Sequence, residues 1–185
     1  MDKMFLIVTG MPGAGKDEFI AVAKQSGYSD FHMGNAVRHF AETYNITVSD
    51  QDIGKFATSE RNRHGMDIWA RRTYESIEKT DRIIIDGMRN PEELEYFRSV
   101  EKIVYVVAVF ANRRTRLERI LRRHRQDDVS SMQELIMRDE RELAWGIAKT
   151  IVLSDYLIVN DSSLADFRHR SAELIGRIEN ESGRK

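Results

Sequence analysis

Residues 10–17 read GMPGAGKD and directly follow the apolar run Met4–Val8. Within this stretch, Gly10-x-x-x-x-Gly15-Lys16 has the spacing of a phosphate-binding loop. Such a loop joins a buried strand to a helix, so that its backbone N–H groups and the helix N-terminus converge on phosphate oxygens. The alternative is a tight strand-to-helix turn without a ligand. We favour nucleotide-phosphate binding, by Gly10, Met11, Pro12, Gly13, Ala14, Gly15, Lys16 and Asp17.

The last residue of the loop departs from the usual pattern, in which Ser or Thr follows the Lys and gives Mg²⁺ a hydroxyl ligand. Asp17 occupies this position. Its carboxylate is a hard oxygen ligand that Mg²⁺ accepts directly or through water. An acid also suits the N-terminus of a helix. Two interpretations therefore stay open: Asp17 is a metal ligand, or it is a helix cap and another group holds the metal.

The overall composition excludes several classes of protein. The chain has 185 residues with 29 basic and 30 acidic side chains, so net charge gives no reason to expect a nucleic-acid or membrane partner. The absence of Cys excludes disulfides and thiolate metal sites, and it fits a reducing cytosol. We predict a cytoplasmic protein with one domain over residues 1–185, as a monomer or small homo-oligomer.

Short apolar runs rich in Val and Ile alternate with stretches of helical pattern. Such runs are typical of strands buried on both faces of a parallel sheet. The predicted strands are Met4–Val8, Phe31–Met33, Ile83–Ile85, Ile103–Phe110 and Tyr156–Val159. The predicted helices are Glu18–Gln25, Asn35–Tyr44, Asp50–Glu60, Met66–Glu78, Pro91–Arg98, Arg113–Arg125, Met132–Lys149 and Leu164–Ile178. This alternation predicts an α/β domain whose five-stranded parallel sheet is flanked by helices.

Two connections are longer than a minimal crossover, residues 34–80 and residues 112–154. Additions of this kind often form moving lids over a rigid scaffold. Residues 126–131 are the most loop-like part of the second connection.

Ser49 is a predicted helix cap, and Pro91 suits the first turn of its own helix.

Asp86 ends the apolar run Ile83–Ile85. At the carboxyl end of a buried strand beside the phosphate loop, an Asp can hold a Mg²⁺-bound water or accept the proton of a phosphoryl acceptor. The alternative is ordinary turn chemistry at a strand end. We favour the functional interpretation, with Asp86 as the second candidate metal residue.

Two motifs resemble the acceptor segments of adenylate kinases. Gly34-x-x-x-Arg38 is similar to the segment in which a Gly makes room and an Arg clamps the acceptor monophosphate, and Asp86-Gly87-x-Arg89 resembles the second acceptor motif. The resemblance implies that the acceptor binds to Gly34, Arg38, Gly87 and Arg89. It also implies that residues 34–80 form an acceptor-side helical excursion.

The segment Glu118–Arg123 resembles the helix that leads into the lid of the same kinases. Asp127 and Asp128, and then Arg138 and Arg141, resemble the far side of that lid. The resemblance implies a small Arg-rich lid that closes over the γ-phosphate with Arg119, Arg123, Arg138 and Arg141.

The remaining residues of this helix, and the two tryptophans of the chain, have simpler interpretations. Its stripe of Leu117, Ile120 and Leu121 is predicted to face the core, while Arg113, Arg114 and Arg116 are predicted to form a solvated surface. No aromatic platform interleaves with the arginines, and this pattern argues against nucleic-acid binding. Trp69 and Trp145 are interpreted as packing residues rather than as a base-stacking pair.

The end of the chain, Ser154–Leu164, is similar to the segment that lies beside adenine in dephospho-CoA kinases, which implies that Asn160 lies near the adenine. Taken whole, the chain resembles an archaeal family described as adenylate-kinase-related or dephospho-CoA-kinase-like. The resemblance rests on the Gly-Met-Pro-Gly-x-Gly-Lys, Met-Gly-x-x-x-Arg, Asp-Gly-x-Arg and Arg-Asp-Glu-Arg-Glu-Leu segments. It covers nearly the whole chain and implies a P-loop NTPase of the nucleoside-monophosphate-kinase type.

The implied activity is transfer of the γ-phosphate of ATP, with Mg²⁺, to a nucleoside monophosphate or to an acceptor of the dephospho-CoA type. Lys16, Asp86 and the four lid arginines are the expected catalytic residues. Three alternatives stay open. The first is a kinase of a phosphorylated small metabolite such as phosphomevalonate, and the second is an ATP-binding switch or binding module without kinase activity. The third is a nucleic-acid binder that uses the basic helix Arg113–Arg125.

Overall fold

The computed structural model describes residues 3–46, 49–77, 80–123 and 129–183. The strands are β1 (Met4–Thr9), β2 (Ser29–His32), β3 (Arg82–Asp86), β4 (Ile103–Phe110) and β5 (Tyr156–Val159). The helices are α1 (Lys16–Gln25), α2 (Met33–Thr43), α3 (Asp50–His64), α4 (Ile68–Glu75), α5 (Pro91–Val100), α6 (Arg113–Arg123), α7 (Met132–Trp145), α8 (Ile147–Val152) and α9 (Leu164–Ser182).

All strand pairs are parallel, and the order across the sheet is β2-β3-β1-β4-β5. The predicted five-stranded parallel sheet is confirmed. In the register, Val8 of β1 lies opposite Asp86 of β3, and Asp86 in turn lies opposite His32 of β2. Because parallel strands end at the same edge of a sheet, the phosphate loop, the end of β3 and the start of α2 meet there.

The core has one layer on each face of the sheet. Alternate residues of β1 point to opposite faces, so Leu6 and Val8 pack with α1 and α9, whereas Phe5 and Ile7 pack with α2 to α5. The prediction that the strands are buried on both faces is therefore correct for β1. It is wrong for the edge strands, since every residue of β2 is half-buried and Leu157 of β5 is 55% exposed. An edge strand is less covered because it has a neighbouring strand on one side only.

Several predicted helix and strand boundaries are corrected. The predicted helix Met132–Lys149 is two helices, because Gly146 has φ 104° and ends α7 as a left-handed C-cap. The predicted strand Phe31–Met33 is shifted, since β2 ends at His32 and Met33 begins α2. Ser49 does cap α3, accepting a hydrogen bond from the Asp52 N–H, and Pro91 is in the first turn of α5.

The prediction for α6 is also partly wrong. Arg116 is only 4% exposed instead of lying on a solvated surface, because it pairs with a buried carboxylate of α7. Of the predicted apolar stripe, Ile120 is fully buried but Leu121 is 41% exposed.

No helix in the described part of the chain is both long and apolar enough to cross a membrane.

Candidate functional site

The phosphate loop follows β1 and approaches its neighbours so closely that side chains would not fit. Gly15 has φ 107°, and a Cβ there would collide with Nδ2 of Asn160. Gly10 has φ 145°, and a Cβ there would collide with the carbonyl oxygen of Val109. Both positions combine a backbone conformation that L-residues rarely adopt with a lack of space, so both require glycine.

Asn160 and Arg119 support the loop from the outside. Asn160 donates from Nδ2 to the carbonyl of Ala14 at 2.9 Å, and its own N–H donates to the carbonyl of Phe110. Arg119 donates to the Ala14 carbonyl and to both oxygens of Asn160. These contacts fix the loop backbone to the ends of β4 and β5. The contact of Asn160 with adenine stays a prediction.

Arg116 supports the loop from α6. It donates to the carbonyl of Pro12 at 3.0 Å, and it makes a two-point ion pair with Asp139 at 2.8 and 2.6 Å. Asp139 is fully buried and also accepts from Arg113. The phosphate loop is therefore connected to α6 and α7 through one buried guanidinium, a role that its predicted solvated position did not suggest.

Lys16 and Asp86 face each other where the loop meets β3. Nζ of Lys16 donates to the Gly10 carbonyl at 2.9 Å and lies 4.0 Å from Oδ1 of Asp86. Burial acts to raise the pKa of Asp86, but the charges of Lys16, His32 and Arg89 outweigh it and lower that pKa to about 2. Burial lowers the pKa of Lys16, opposed by the charge of Asp86.

Asp86 has the features expected of a residue that interacts with a metal or its water. Its Oδ1 atom is buried and has no hydrogen-bond partner among the described residues. A buried carboxylate oxygen normally has a partner, so this atom fits an additional ligand such as Mg²⁺ or a Mg²⁺-bound water. The residues present therefore fit the metal that the phosphate loop implies.

His32 connects Asp86 to a further acid. Its Nδ1 lies 3.7 Å from Asp86, and its Nε2 lies 3.1 Å from Asp30, which Lys24 contacts at 2.6 Å. The neighbouring Asp86 carboxylate raises the pKa of His32, and Asp30 adds to this effect although burial opposes it. The role of His32 was not recognised from the sequence, because it depends on the register that places His32 opposite Asp86.

Asp17 is the second residue of α1, and the N-cap of that helix is Gly15. Asp17 therefore lies in the first turn, where its charge favours the helix dipole, rather than in the N-cap position. Its side chain is half exposed, and its Oδ2 lies 3.8 Å from Nη1 of Arg123. Metal ligation by Asp17 stays a prediction.

A cavity of about 260 Å³ opens beside the ends of β2 and β3. It brings together the predicted acceptor residues Gly34, Arg38, Gly87 and Arg89. Arg138 and Arg141 of α7 line the same cavity, whereas the lining contains neither Arg119 nor Arg123 of α6 among the described residues. The four predicted lid arginines thus fall into two pairs, one beside the loop and one in the cavity.

Buried carboxylates hold the arginines of this cavity in place. Nε of Arg89 makes an ion pair with Glu142, and the Arg89 N–H donates to Glu93 at 2.6 Å. The other oxygen of Glu93 accepts from Nη2 of Arg61 at 2.9 Å. Burial acts to lower the pKa of Arg89. The charges of Glu142, Asp86 and Glu93 outweigh burial, so the pKa of Arg89 is raised.

Comparison with known proteins identifies the family. A model described as an AAA domain matches residues 6–145. A UPF0200 protein of Thermoplasma volcanium is 59% identical over 170 residues, which cover 92% of this chain and 95% of that protein. The chain belongs to the UPF0200 family.

Solved structures share the fold of this UPF0200 chain. A shikimate kinase from Bacteroides thetaiotaomicron has a TM-score of 0.64 at 16% identity, over 94% of this chain and 98% of its own. A gluconokinase from Sinorhizobium meliloti has a TM-score of 0.56 at 14% identity, over 98% of this chain and 97% of its own. These likenesses confirm the predicted P-loop kinase fold.

Several residues of the candidate site were not identified from the sequence. Arg61, Glu93 and Glu142 were not singled out, and Trp145, interpreted as packing, is half-buried in the cavity wall. One local signal was available: Asn90-Pro91-Glu92-Glu93 has the spacing of a capping box, which the structure contains. The predicted lid residues Asp127 and Asp128 lie outside the described residues.

Proposed function

We propose that this UPF0200 protein transfers a phosphoryl group from ATP to a small anionic acceptor. The observation that supports this most strongly is the position of Asp86. It lies 4.0 Å from the phosphate-loop Lys16, and Gly87 and Arg89 that follow it line the arginine-rich cavity. A triphosphate on the loop and an acceptor in the cavity would therefore both adjoin Asp86.

Each group has a role in this proposal. Lys16 binds the β- and γ-phosphates, and the available backbone N–H groups of the phosphate loop surround them. Asp86 and Asp17 are the residues that would hold Mg²⁺, which when bound neutralises phosphate charge. Because its pKa is about 2, Asp86 is ionised at neutral pH and a weak base. We therefore assign Asp86 to orient the acceptor oxygen or a metal-bound water.

The arginines supply charge neutralisation and positioning. Arg38 and Arg89 bind the anionic group of the acceptor, and Glu142 fixes the orientation of Arg89. Arg119 and Arg123, beside the loop, and Arg138 and Arg141, in the cavity, stabilise charge on the transferring group from two sides. Catalysis of this kind rests on positioning and electrostatic stabilisation with water excluded.

The size of the cavity restricts the acceptor. Its 260 Å³ lies below the roughly 300–1,000 Å³ of common small-molecule sites. A nucleoside monophosphate is the first candidate, and dephospho-CoA would place only one end in the cavity. A phosphorylated small metabolite of the phosphomevalonate type is the second candidate, favoured by the small volume and the many arginines.

An ADP-release screen tests the proposal. Wild-type protein with Mg²⁺ and ATP is offered nucleoside monophosphates, dephospho-CoA and phosphomevalonate, with acceptor-free hydrolysis as the baseline. Lys16→Ala is expected to abolish transfer, while Lys149→Ala, at an exposed position of α8, is the matched control. ATP binding without transfer to any acceptor would contradict the kinase and favour a nucleotide-binding switch.

A further inference from the structure

Arg61 of α3 lines the cavity but has no role in the function described above. It is only 5% exposed, and Nη2 donates to Glu93 at 2.9 Å. Its Nε and Nη1 atoms are buried and have no hydrogen-bond partner in the described part of the chain. A buried guanidinium with unsatisfied donors is unfavourable unless a ligand or water satisfies them, which makes Arg61 a candidate anion-binding residue.

The structure holds the Arg61 guanidinium rigidly. Its Cζ lies 4.8 Å from the centroid of the Trp145 ring, a cation–π contact. Trp145 is itself fixed to α3, since its Nε1 donates to Oγ1 of Thr58 at 3.0 Å. Glu93 accepts a hydrogen bond from one nitrogen of the guanidinium, and the face of the Trp145 ring packs against the guanidinium. Arg61 is therefore preorganised, so little side-chain freedom is lost when an anion binds.

The acids near Arg61 are engaged by other groups and do not satisfy all of its donors. The described lining of the cavity contains five arginines and one carboxylate, Glu142, which Arg89 engages. Glu93 is engaged by Arg61 on one oxygen and by the Arg89 and Asn90 N–H groups on the other. Glu93 therefore engages one nitrogen of Arg61 and leaves its Nε and Nη1 donors to a ligand of the cavity.

We propose that Arg61 binds an anionic group of the acceptor, a phosphate or a carboxylate, in addition to the group that Arg38 and Arg89 hold. This inference rests on the proposed function for the identity of the cavity as an acceptor site. It names the acceptor class as a small molecule with two anionic groups, one held by Arg38 and Arg89 and the other by Arg61 beside Trp145. Of the two candidates above, it therefore favours the phosphorylated small metabolite over a nucleoside monophosphate.

The competing explanation is that Arg61 only neutralises buried Glu93. The double variant Arg61→Gln/Glu93→Gln distinguishes anion binding from neutralisation of Glu93. It removes both buried charges together, so no uncompensated charge remains. Gln at residue 93 can still accept from the backbone as part of a capping box. The matched control is Glu93→Gln alone, which keeps the Arg61 guanidinium in place.

Anion titration monitored by NMR tests the site directly. The phosphate loop is first filled with a non-hydrolysable ATP analogue and Mg²⁺, and the Nε–Hε signal of Arg61 is assigned by its loss in Arg61→Lys. Inorganic phosphate and malonate are titrated separately, with KCl at matched ionic strength. We expect a saturable shift of the Arg61 signal, with the more effective anion identifying the group. A signal that neither anion moves beyond the KCl effect overturns the proposal.

Kinetics with an acceptor found in the ADP-release screen provide the second test. Relative to Glu93→Gln, the double variant should raise the acceptor KM by about tenfold, while the KM for ATP stays the same. Equal acceptor KM values in the two variants would overturn the role of Arg61 and leave the kinase intact. Absence of transfer by the wild type would contradict the proposed function, while the NMR titration would still decide whether Arg61 binds anions.

Discussion

Nζ of Lys16 lies 4.0 Å from Oδ1 of Asp86, yet Lys16 donates its hydrogen bond to the carbonyl of Gly10. The two side chains come from different strand ends, since Lys16 follows β1 through the phosphate loop and Asp86 ends β3. Their charges interact without a direct hydrogen bond. Because Asp86 also interacts with the charge of Arg89, the phosphate loop and the arginine-lined cavity are electrostatically coupled through this pair.

The first prediction concerns the pKa of Asp86. In Lys16→Met the largest favourable charge beside Asp86 is lost while its burial remains, so its pKa should rise above the wild-type value of about 2. The measurement is an NMR titration of the Asp86 carboxyl carbon. Lys149→Met is the control, and a pKa that stays near 2 in Lys16→Met would contradict the coupling.

The second prediction concerns the pH dependence of stability. The folded state raises the pKa of His32 above its ordinary 6.5 through Asp86 and Asp30, so His32 stabilises the fold below pH 6.5. This contribution is lost as the pH rises through the folded pKa. The unfolding free energy of the wild type should therefore fall over this pH range, and His32→Gln should remove the part of the fall that His32 causes.

Urea unfolding of the wild type and His32→Gln between about pH 6 and pH 9 measures this difference. The control is His39→Gln, at an exposed position of α2. Identical pH profiles for wild type and His32→Gln would show that the contacts with Asp30 and Asp86 contribute nothing to stability.

The third prediction concerns the buried pair of Arg116 and Asp139. Asp139→Asn leaves the Arg116 charge buried and uncompensated, and we expect a loss of about 3–5 kcal/mol in unfolding free energy. Glu140→Gln changes the exposed neighbour on the same helix and should stay within about 0.5 kcal/mol of wild type. Chemical denaturation measures both, and similar values for the two variants would refute the structural role of the pair.

The fourth prediction tests whether Asp17 is a metal ligand or only contributes charge to the first turn of α1. If its carboxylate ligates Mg²⁺, Asp17→Asn should lower the apparent Mg²⁺ affinity, whereas metal-free ATP binding should hold or improve because a negative charge is removed. Asp17→Ser should restore a hydroxyl ligand and retain activity. ATP calorimetry across a Mg²⁺ titration is the measurement, with Glu18→Gln as the neighbouring control. Superimposable Mg²⁺ curves would leave Asp86 as the principal metal residue.

The sequence by itself determined the sheet and the phosphate loop. The apolar runs and the spacing from Gly10 to Lys16 are local patterns, and each is set by residues close together in the chain. The predicted acceptor residues Gly34, Arg38, Gly87 and Arg89 line one cavity because they follow neighbouring parallel strands. Their binding of an acceptor remains a prediction.

Only the tertiary structure decided which arginines are buried and what they face. Arg116 lies on a helix whose sequence is mostly arginine, and its burial depends on Asp139, 23 residues away. Arg61 pairs with Glu93 across 32 residues, and its unsatisfied donors become visible only when the cavity is formed. A charged side chain looks the same in sequence whether it is solvated or buried, because its environment is set by partners that folding brings together.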